Sequence, residues 1–207
     1  VEKGRFFKAV SNQHGFYIEH LKYMLRAHAR YRWGNDGLVA RAIEVAEGAH
    51  CHQQRDGGEP FIIHPLRVAL HFLLVYPKAT PEMVAVAVLH DVLEDVPCWS
   101  RDKLNAIFGD YVADGVERLS KTTSERSLSA AEYKRLIISS PEYIRVIKLC
   151  DRLDNILSLR TCPDTDKVQR YLDRTEAYYR DIAESSDQRL LGVILEEIDL
   201  IRQQSAT

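Results

Sequence analysis

Six consecutive apolar residues, Val84 to Leu89, run directly into His90, Asp91, Glu94 and Asp95. A run of this kind has to be buried, yet it delivers four ionisable side chains to the end of a buried element. Ahead of it, Thr80-Pro81-Glu82 reads as an N-cap, a first-turn proline and a favourable first-turn acid, which predicts a helix with the acids at its C-terminal end. On one continuous helix Glu94 lies over His90 and Asp91, and Asp95 over Asp91. Three carboxylates then crowd a place where the helix dipole disfavours each by about 0.3–1 kcal/mol. Two readings explain the crowding: the helix emerges into solvent and the acids are merely wet, or a bound cation reverses the sign of every term. The choice depends on partners elsewhere in the chain.

The rest of the sequence has helical periodicity and no sustained alternation of a half-buried strand, so the expected fold is all-α, a bundle of about eight to ten helices. A first helical region from about Gly4 to Arg32 carries Phe6, Phe7, Val10, Tyr17, Leu21, Met24 and Leu25 at helical spacing, with a break expected at His14-Gly15. A second runs from Leu38 to about Gln54. Arg55 to Pro60, R-D-G-G-E-P, cannot continue a helix and reads as a loop. His64 stands at the start of the next helix among apolar neighbours, where a lone histidine is more often a hydrogen-bonded core residue than a ligand. Thr122 to Ser129 reads as a mobile connection. Ser140-Pro141-Glu142 reads as a second cap, proline and acid start, opening a long helix to about Arg160, with Val146, Leu149, Cys150, Leu153 and Leu157 as its core stripe. Opposite them Ile144, Lys148, Asp151, Asn155 and Ser158 share a face that periodicity alone assigns to solvent, although Ile144 on it points to partial burial. Two charged helices close the chain, Thr165 to about Glu184 and Asp187 to about Gln203. No repeat or linker divides residues 1–207, which read as a single domain.

A formal charge of −2 argues against a nucleic-acid partner, which needs a basic face to neutralise phosphates. The longest apolar run falls far short of the ~20 residues of a membrane span. Four cysteines without a Cys-x-x-Cys pair, and no secretory signal, point to reduced thiols and a cytoplasmic location. The chain opens at Val1 rather than Met, so residues are expected to be missing before it.

Together, His64, His90, Asp91 and Asp151, with Glu94 and Asp95 nearby, make a candidate metal set. Two imidazoles and two carboxylates without a thiolate suit a first-row divalent ion such as Mn²⁺ or Fe²⁺ better than a closed structural zinc site. Three blocks then carry a family resemblance: G-A-H-C-H-Q-Q-R-D-G-G-E-P-F-I-I-H-P at Gly48 to Pro65, L-H-D-V-L-E-D at Leu89 to Asp95, and I-K-L-C-D-R-L-D-N at Ile147 to Asn155. In this order they resemble the HD-domain metal phosphohydrolases, specifically the hydrolase domain of the RelA/SpoT homologues. Similarity extends over about 38–200 and leaves 1–36 as an N-terminal helical extension.

The resemblance implies that His64, His90, Asp91 and Asp151 bind one metal, usually Mn²⁺, and that Glu94 and Asp95 position and deprotonate the attacking water. It implies that Arg55 packs against the nucleotide base, that Asn155 lies beside the ribose and base, and that Tyr179 and Lys121 face the nucleotide or its phosphates. The implied reaction is hydrolysis of guanosine tetra- or pentaphosphate at the 3′ position, releasing pyrophosphate and GDP or GTP. The partner expected is this small nucleotide, with no nucleic acid and no membrane; a homo-oligomer is compatible. Other readings are a related enzyme for an adenosine alarmone or NADPH, and a non-catalytic nucleotide-binding regulator. Two departures bear on substrate identity: Asp56 follows Arg55 where bacterial members often carry a base, and Asp154 stands where the family commonly has histidine. The chain also ends where larger bifunctional members continue into a synthetase domain, so it looks like a stand-alone small alarmone hydrolase.

Overall fold

A computed structural model describes residues 2–162 and 164–205, with side chains described for 14–160, 162 and 164–204. Among them the fold is all-α. The elements are α1 (Glu2–Trp33), α2 (Gly37–Ala49), α3 (Ile63–Val75), α4 (Pro81–Leu89), α5 (Val92–Asp95) and α6 (Arg101–Phe108). They continue as α7 (Asp110–Leu119), α8 (Ala130–Ser139), α9 (Glu142–Ser158), a 3₁₀ turn at Leu159–Thr161, α10 (Thr165–Glu184) and α11 (Gln188–Ser205). No helix among the described residues is long and apolar enough to cross a membrane.

Helix α4 sits at the centre, because beyond its first turn it is apolar on every side and has no polar face to turn to water. Every residue from Val84 to Leu89 is fully buried, and α4 packs against α2, α3 and α7. Thr80 caps it as expected, its hydroxyl accepting from the Met83 N–H. Helix α9 packs against α3, α10 and α11. The start of α3, the end of α4 and the middle of α9 therefore converge, and they carry His64, His90 and Asp151.

Several local expectations are corrected. Helix α1 runs through His14-Gly15 without a break, and the side chains of Phe6, Phe7 and Val10 lie outside the described residues. Helix α2 stops at Ala49, five residues early, because the following loop closes on itself. The Phe61 N–H donates to the Gln53 carbonyl at 3.0 Å and the Arg55 N–H to the Glu59 carbonyl at 3.0 Å. Gly58, at φ +81°, takes the left-handed turn this closure needs. Thr122 to Ser129 forms a tied turn rather than a loose connection: Thr122 bridges Ser127, and the Arg126 guanidinium donates to the Glu117 and Ser120 carbonyls. Ser140 does not cap α9; its hydroxyl donates back to the Leu136 carbonyl at 2.7 Å.

The apolar run also does not carry on to the acids as one helix. At His90 the ring Nδ1 donates to the Ala87 carbonyl at 2.9 Å, and α4 ends at Leu89. Asp91 starts a new turn, its carbonyl accepting from the Glu94 and Asp95 N–H groups at 3.2 and 2.9 Å. Glu94 and Asp95 thus belong to the first turn of α5, and the unfavourable dipole of a long helix end does not act on them.

Candidate metal centre and active site

Each imidazole in the centre is oriented by a bond at one nitrogen that leaves the other pointing inward. His64 Nδ1 donates to Asp154 Oδ2 at 2.7 Å and His90 Nδ1 to the Ala87 carbonyl. Both Nε2 atoms are then acceptors directed at the same space, the tautomer a metal requires. His64 Nε2 lies 3.2 Å from Asp151 Oδ1 and 3.4 Å from Asp91 Oδ2. His90 Nε2 lies 3.2 Å from Asp91 Oδ2 and 3.7 Å from Asp151 Oδ1.

Fit to a cation can be judged on two observations. Donors about 2.1 Å from a common ion sit about 3.0 Å apart at cis octahedral positions and about 3.4 Å apart on a tetrahedron, which brackets most of these spacings. In addition, His90 Nε2 is buried without a hydrogen-bond partner in the protein, a costly state that coordination would relieve. His64, His90 and Asp151 form a buried group able to hold an ion, and Asp91 Oδ2 stands within reach of both rings. The residues fit a divalent metal.

Burial alone would depress both imidazoles, but the carboxylates around them prevail. Asp151, Asp154 and Asp91 raise His64 to about 10, and Asp91 and Asp151 raise His90 to about 9. The carboxylates respond in kind. Against the cost of burial, His90 and His64 hold Asp91 below the ordinary carboxylate range, while Lys148 and the two imidazoles do the same for Asp151. Without metal, protons thus compete for the two Nε2 atoms, and binding has to displace them. The sign follows: metal affinity rises with pH, by up to about tenfold per unit for each proton displaced, and levels off above the imidazole values. Calorimetric titration with Mn²⁺ across pH 7 to 9 checks this, and an affinity independent of pH in that range would refute it.

The long helix supplies more than one ligand. Its second face, assigned to solvent by periodicity, is a cavity wall: Ile144 is fully buried and Asp151 is 5% exposed. The Lys148 ammonium donates to Asp151 Oδ2 at 2.8 Å and the Asn155 amide to Asp151 Oδ1 at 2.6 Å. Arg55, brought in by the closed loop, donates to Asn155 Oδ1 at 2.6 Å and to the Ser158 hydroxyl at 3.2 Å. Above the centre opens a cavity of about 840 Å³, lined by Arg55, His64, Asp91, Glu94, Asp95, Asp151 and Asn155 among others.

Glu94 and Asp95 stand on that lining. Glu94 Oε2 accepts the Lys121 backbone N–H at 2.9 Å, and Gln53 Nε2 donates to the Asp95 carbonyl at 2.9 Å. Partial withdrawal from water, then the charges of Asp91 and Glu94, raise the Asp95 carboxyl to about 6. Tyr179 and Lys121 do not line the cavity. Tyr179 is 8% exposed in the core, its ring 4.7 Å from the Arg152 guanidinium, and Lys121 reaches the site through its main chain.

Asp154, noted in the sequence only as a departure, is 1% exposed. Besides His64 it accepts from Arg67 Nε at 2.7 Å and Nη2 at 3.1 Å, and Glu59 holds the far side of Arg67 at 2.8 Å. Asp154→Asn is expected to weaken metal binding by about 10–100-fold, the usual cost of losing a ligand's outer partner. Calorimetry with Mn²⁺, on variant protein whose thermal transition shows it folded, checks this; wild-type affinity would show that Asp154 does not orient His64.

Comparison with known proteins places these observations beside characterised relatives. The family described as HD domain matches residues 42–188. The guanosine-3′,5′-bis(diphosphate) 3′-pyrophosphohydrolase of Aquifex aeolicus is 41% identical over 125 residues, 58% of this chain and 18% of that protein. The bifunctional (p)ppGpp synthase/hydrolase SpoT of Escherichia coli K12 is 34% identical over 167 residues, 77% of this chain and 23% of that protein. The chain thus spans about a fifth of the length of these relatives. A solved structure described as a metazoan ortholog of SpoT that hydrolyzes ppGpp superimposes with a TM-score of 0.63 at 24% identity, covering 82% of this chain and 96% of that one. At that identity the likeness speaks to the fold.

Proposed function

The chain belongs to the HD-domain family, and on that premise we propose that it is a metal-dependent hydrolase of guanosine 3′,5′-bis(diphosphate) and the corresponding pentaphosphate, cutting at the 3′ position. The observation that carries the proposal is the convergence of His64 Nε2, His90 Nε2, Asp91 and Asp151 beneath a nucleotide-sized cavity. The names of the bacterial relatives support the choice of substrate. Mn²⁺ is the ion proposed, and the cytoplasm the compartment.

His64, His90, Asp91 and Asp151 would hold a divalent ion, which would supply positive charge to the phosphoryl oxygens and lower the pKa of the attacking water. The remaining work falls to the chain. Asp95, ionised above about 6, takes a proton from water as its oxygen bonds to the phosphorus attached at O3′. The P–O3′ bond breaks, the proton held by Asp95 passes to O3′, and pyrophosphate departs from GDP or GTP with its 3′-hydroxyl free. Glu94 braces α5 through the Lys121 N–H. Lys148 keeps Asp151 ionised, and Arg55 and Asn155 form the wall on which the nucleoside is held, the guanidinium plane suiting a purine face.

A hydrolysis panel with Mn²⁺ present tests the proposal. Guanosine tetraphosphate should yield GDP and pyrophosphate faster than NADPH or an adenosine alarmone is turned over. Turnover of NADPH alone would move the assignment to another nucleotide on the same site, and turnover of none would leave a binding protein.

A further inference from the structure

Among the described residues, the cavity lining has five carboxylates outside the four metal-site residues and two guanidiniums, Arg55 and Arg67. Both guanidiniums are committed. Arg67 is held by Asp154 and Glu59, and Arg55 lies 3.7 Å from Asp154 and 3.8 Å from Glu59 while donating to Asn155 and Ser158. Asp154 is almost fully buried, so turning either guanidinium toward a phosphate weakens the pairing of a carboxylate that cannot reach water. Lys148, the remaining lining cation, is spent on Asp151. At the mouth, Asp56 is 85% exposed and pairs with Lys167 from the first turn of α10, which neutralises that cation as well.

Beyond a metal on the cavity floor, the described residues of the lining therefore offer a bound nucleotide no surplus of positive charge. One pyrophosphate, the scissile one, is matched by the metal. A second polyphosphate at the other end of the nucleoside meets cations already paired with carboxylates. Resting on the 3′-pyrophosphohydrolase reading above, we infer that among nucleotides with a 3′-diphosphate this site discriminates by 5′ charge, favouring the 5′-hydroxyl or 5′-monophosphate over the 5′-di- and triphosphate. The discrimination is electrostatic and lies mainly in KM, because the 5′ group is remote from the reacting phosphorus.

The test is a comparison of kcat/KM on four guanosine 3′-diphosphates bearing a 5′-hydroxyl, mono-, di- or triphosphate, using Mn²⁺-loaded protein. The expected result is a fall of about threefold to tenfold with each added 5′ phosphate, narrowing at high salt as the charges are screened. A flat or rising series overturns the inference while leaving the hydrolase reading intact. Absence of turnover on all four overturns the hydrolase reading, and this inference with it. Asp56→Lys provides a second arm. Placing a cation at the mouth should raise the triphosphate-to-hydroxyl ratio of kcat/KM by about tenfold, and an unchanged ratio would count against charge as the discriminating property.

Discussion

Asp151→Ala should abolish turnover and leave the protein without bound metal. Loss of a first-row ion from the site removes several kcal/mol of transition-state stabilisation, roughly a thousandfold or more in kcat. The same change should lower stability, for a separate reason. Asp151 is the carboxylate partner of Lys148, whose side chain is 13% exposed. Removing it strands a nearly buried ammonium, at a cost of about 3–5 kcal/mol. The two effects separate in other variants. Asp151→Asn keeps an acceptor for Lys148, so it should lose metal with a smaller fall in Tm. Combining Asp151→Ala with Lys148→Met should recover part of the Tm without recovering metal. Metal content by elemental analysis and Tm by calorimetry check both, and Asp151→Ala protein with stoichiometric metal and normal turnover would dismiss the centre.

The same residue shows what sequence can and cannot say about this fold. The order of the three sequence blocks points to His64, His90, Asp91 and Asp151 together, although each is unremarkable alone. Periodicity, however, places Asp151 on a solvent face, because a polar stripe looks the same whether it meets water or a polar cavity. Lys148 was legible in principle, standing three residues before Asp151 on a helix. The Glu59–Arg67–Asp154 cluster was not, since it joins residues 8 and 87 positions apart and no local spacing links them. Nor does periodicity register the break at His90, which depends on a ring nitrogen bonding to the Ala87 carbonyl rather than on any proline or glycine. The extent of the bundle was the easiest part to read: helix starts such as Thr80 and the apolar run after it announce themselves through local chemistry that tertiary packing reinforces.

The break at His90 also places Glu94 and Asp95 on a separate short element, α5, while they still face the same cavity as Asp91 and Asp151. The element is clamped on two sides, by the Lys121 N–H on Glu94 and by the Gln53 amide on the Asp95 carbonyl, with His50 in turn bonded to Gln53 at 2.6 Å. Asp95→Asn should therefore lower kcat by about 10²–10⁴-fold, the range of a lost general base, with metal retained. Glu94→Gln can still accept from Lys121, so it should be milder than Glu94→Ala if bracing is its role. The pH dependence gives an independent check. A base works ionised, so activity falls as pH drops through its pKa. Raised to about 6 by withdrawal from water and by Asp91 and Glu94 in the metal-free protein, the Asp95 carboxyl is pulled back down by a nearby dication. The acid limb of kcat should lie at or below about 6 and should vanish in Asp95→Asn. Retention of more than about a tenth of kcat in that variant, or loss of metal along with turnover, would take the proton-accepting role away from Asp95.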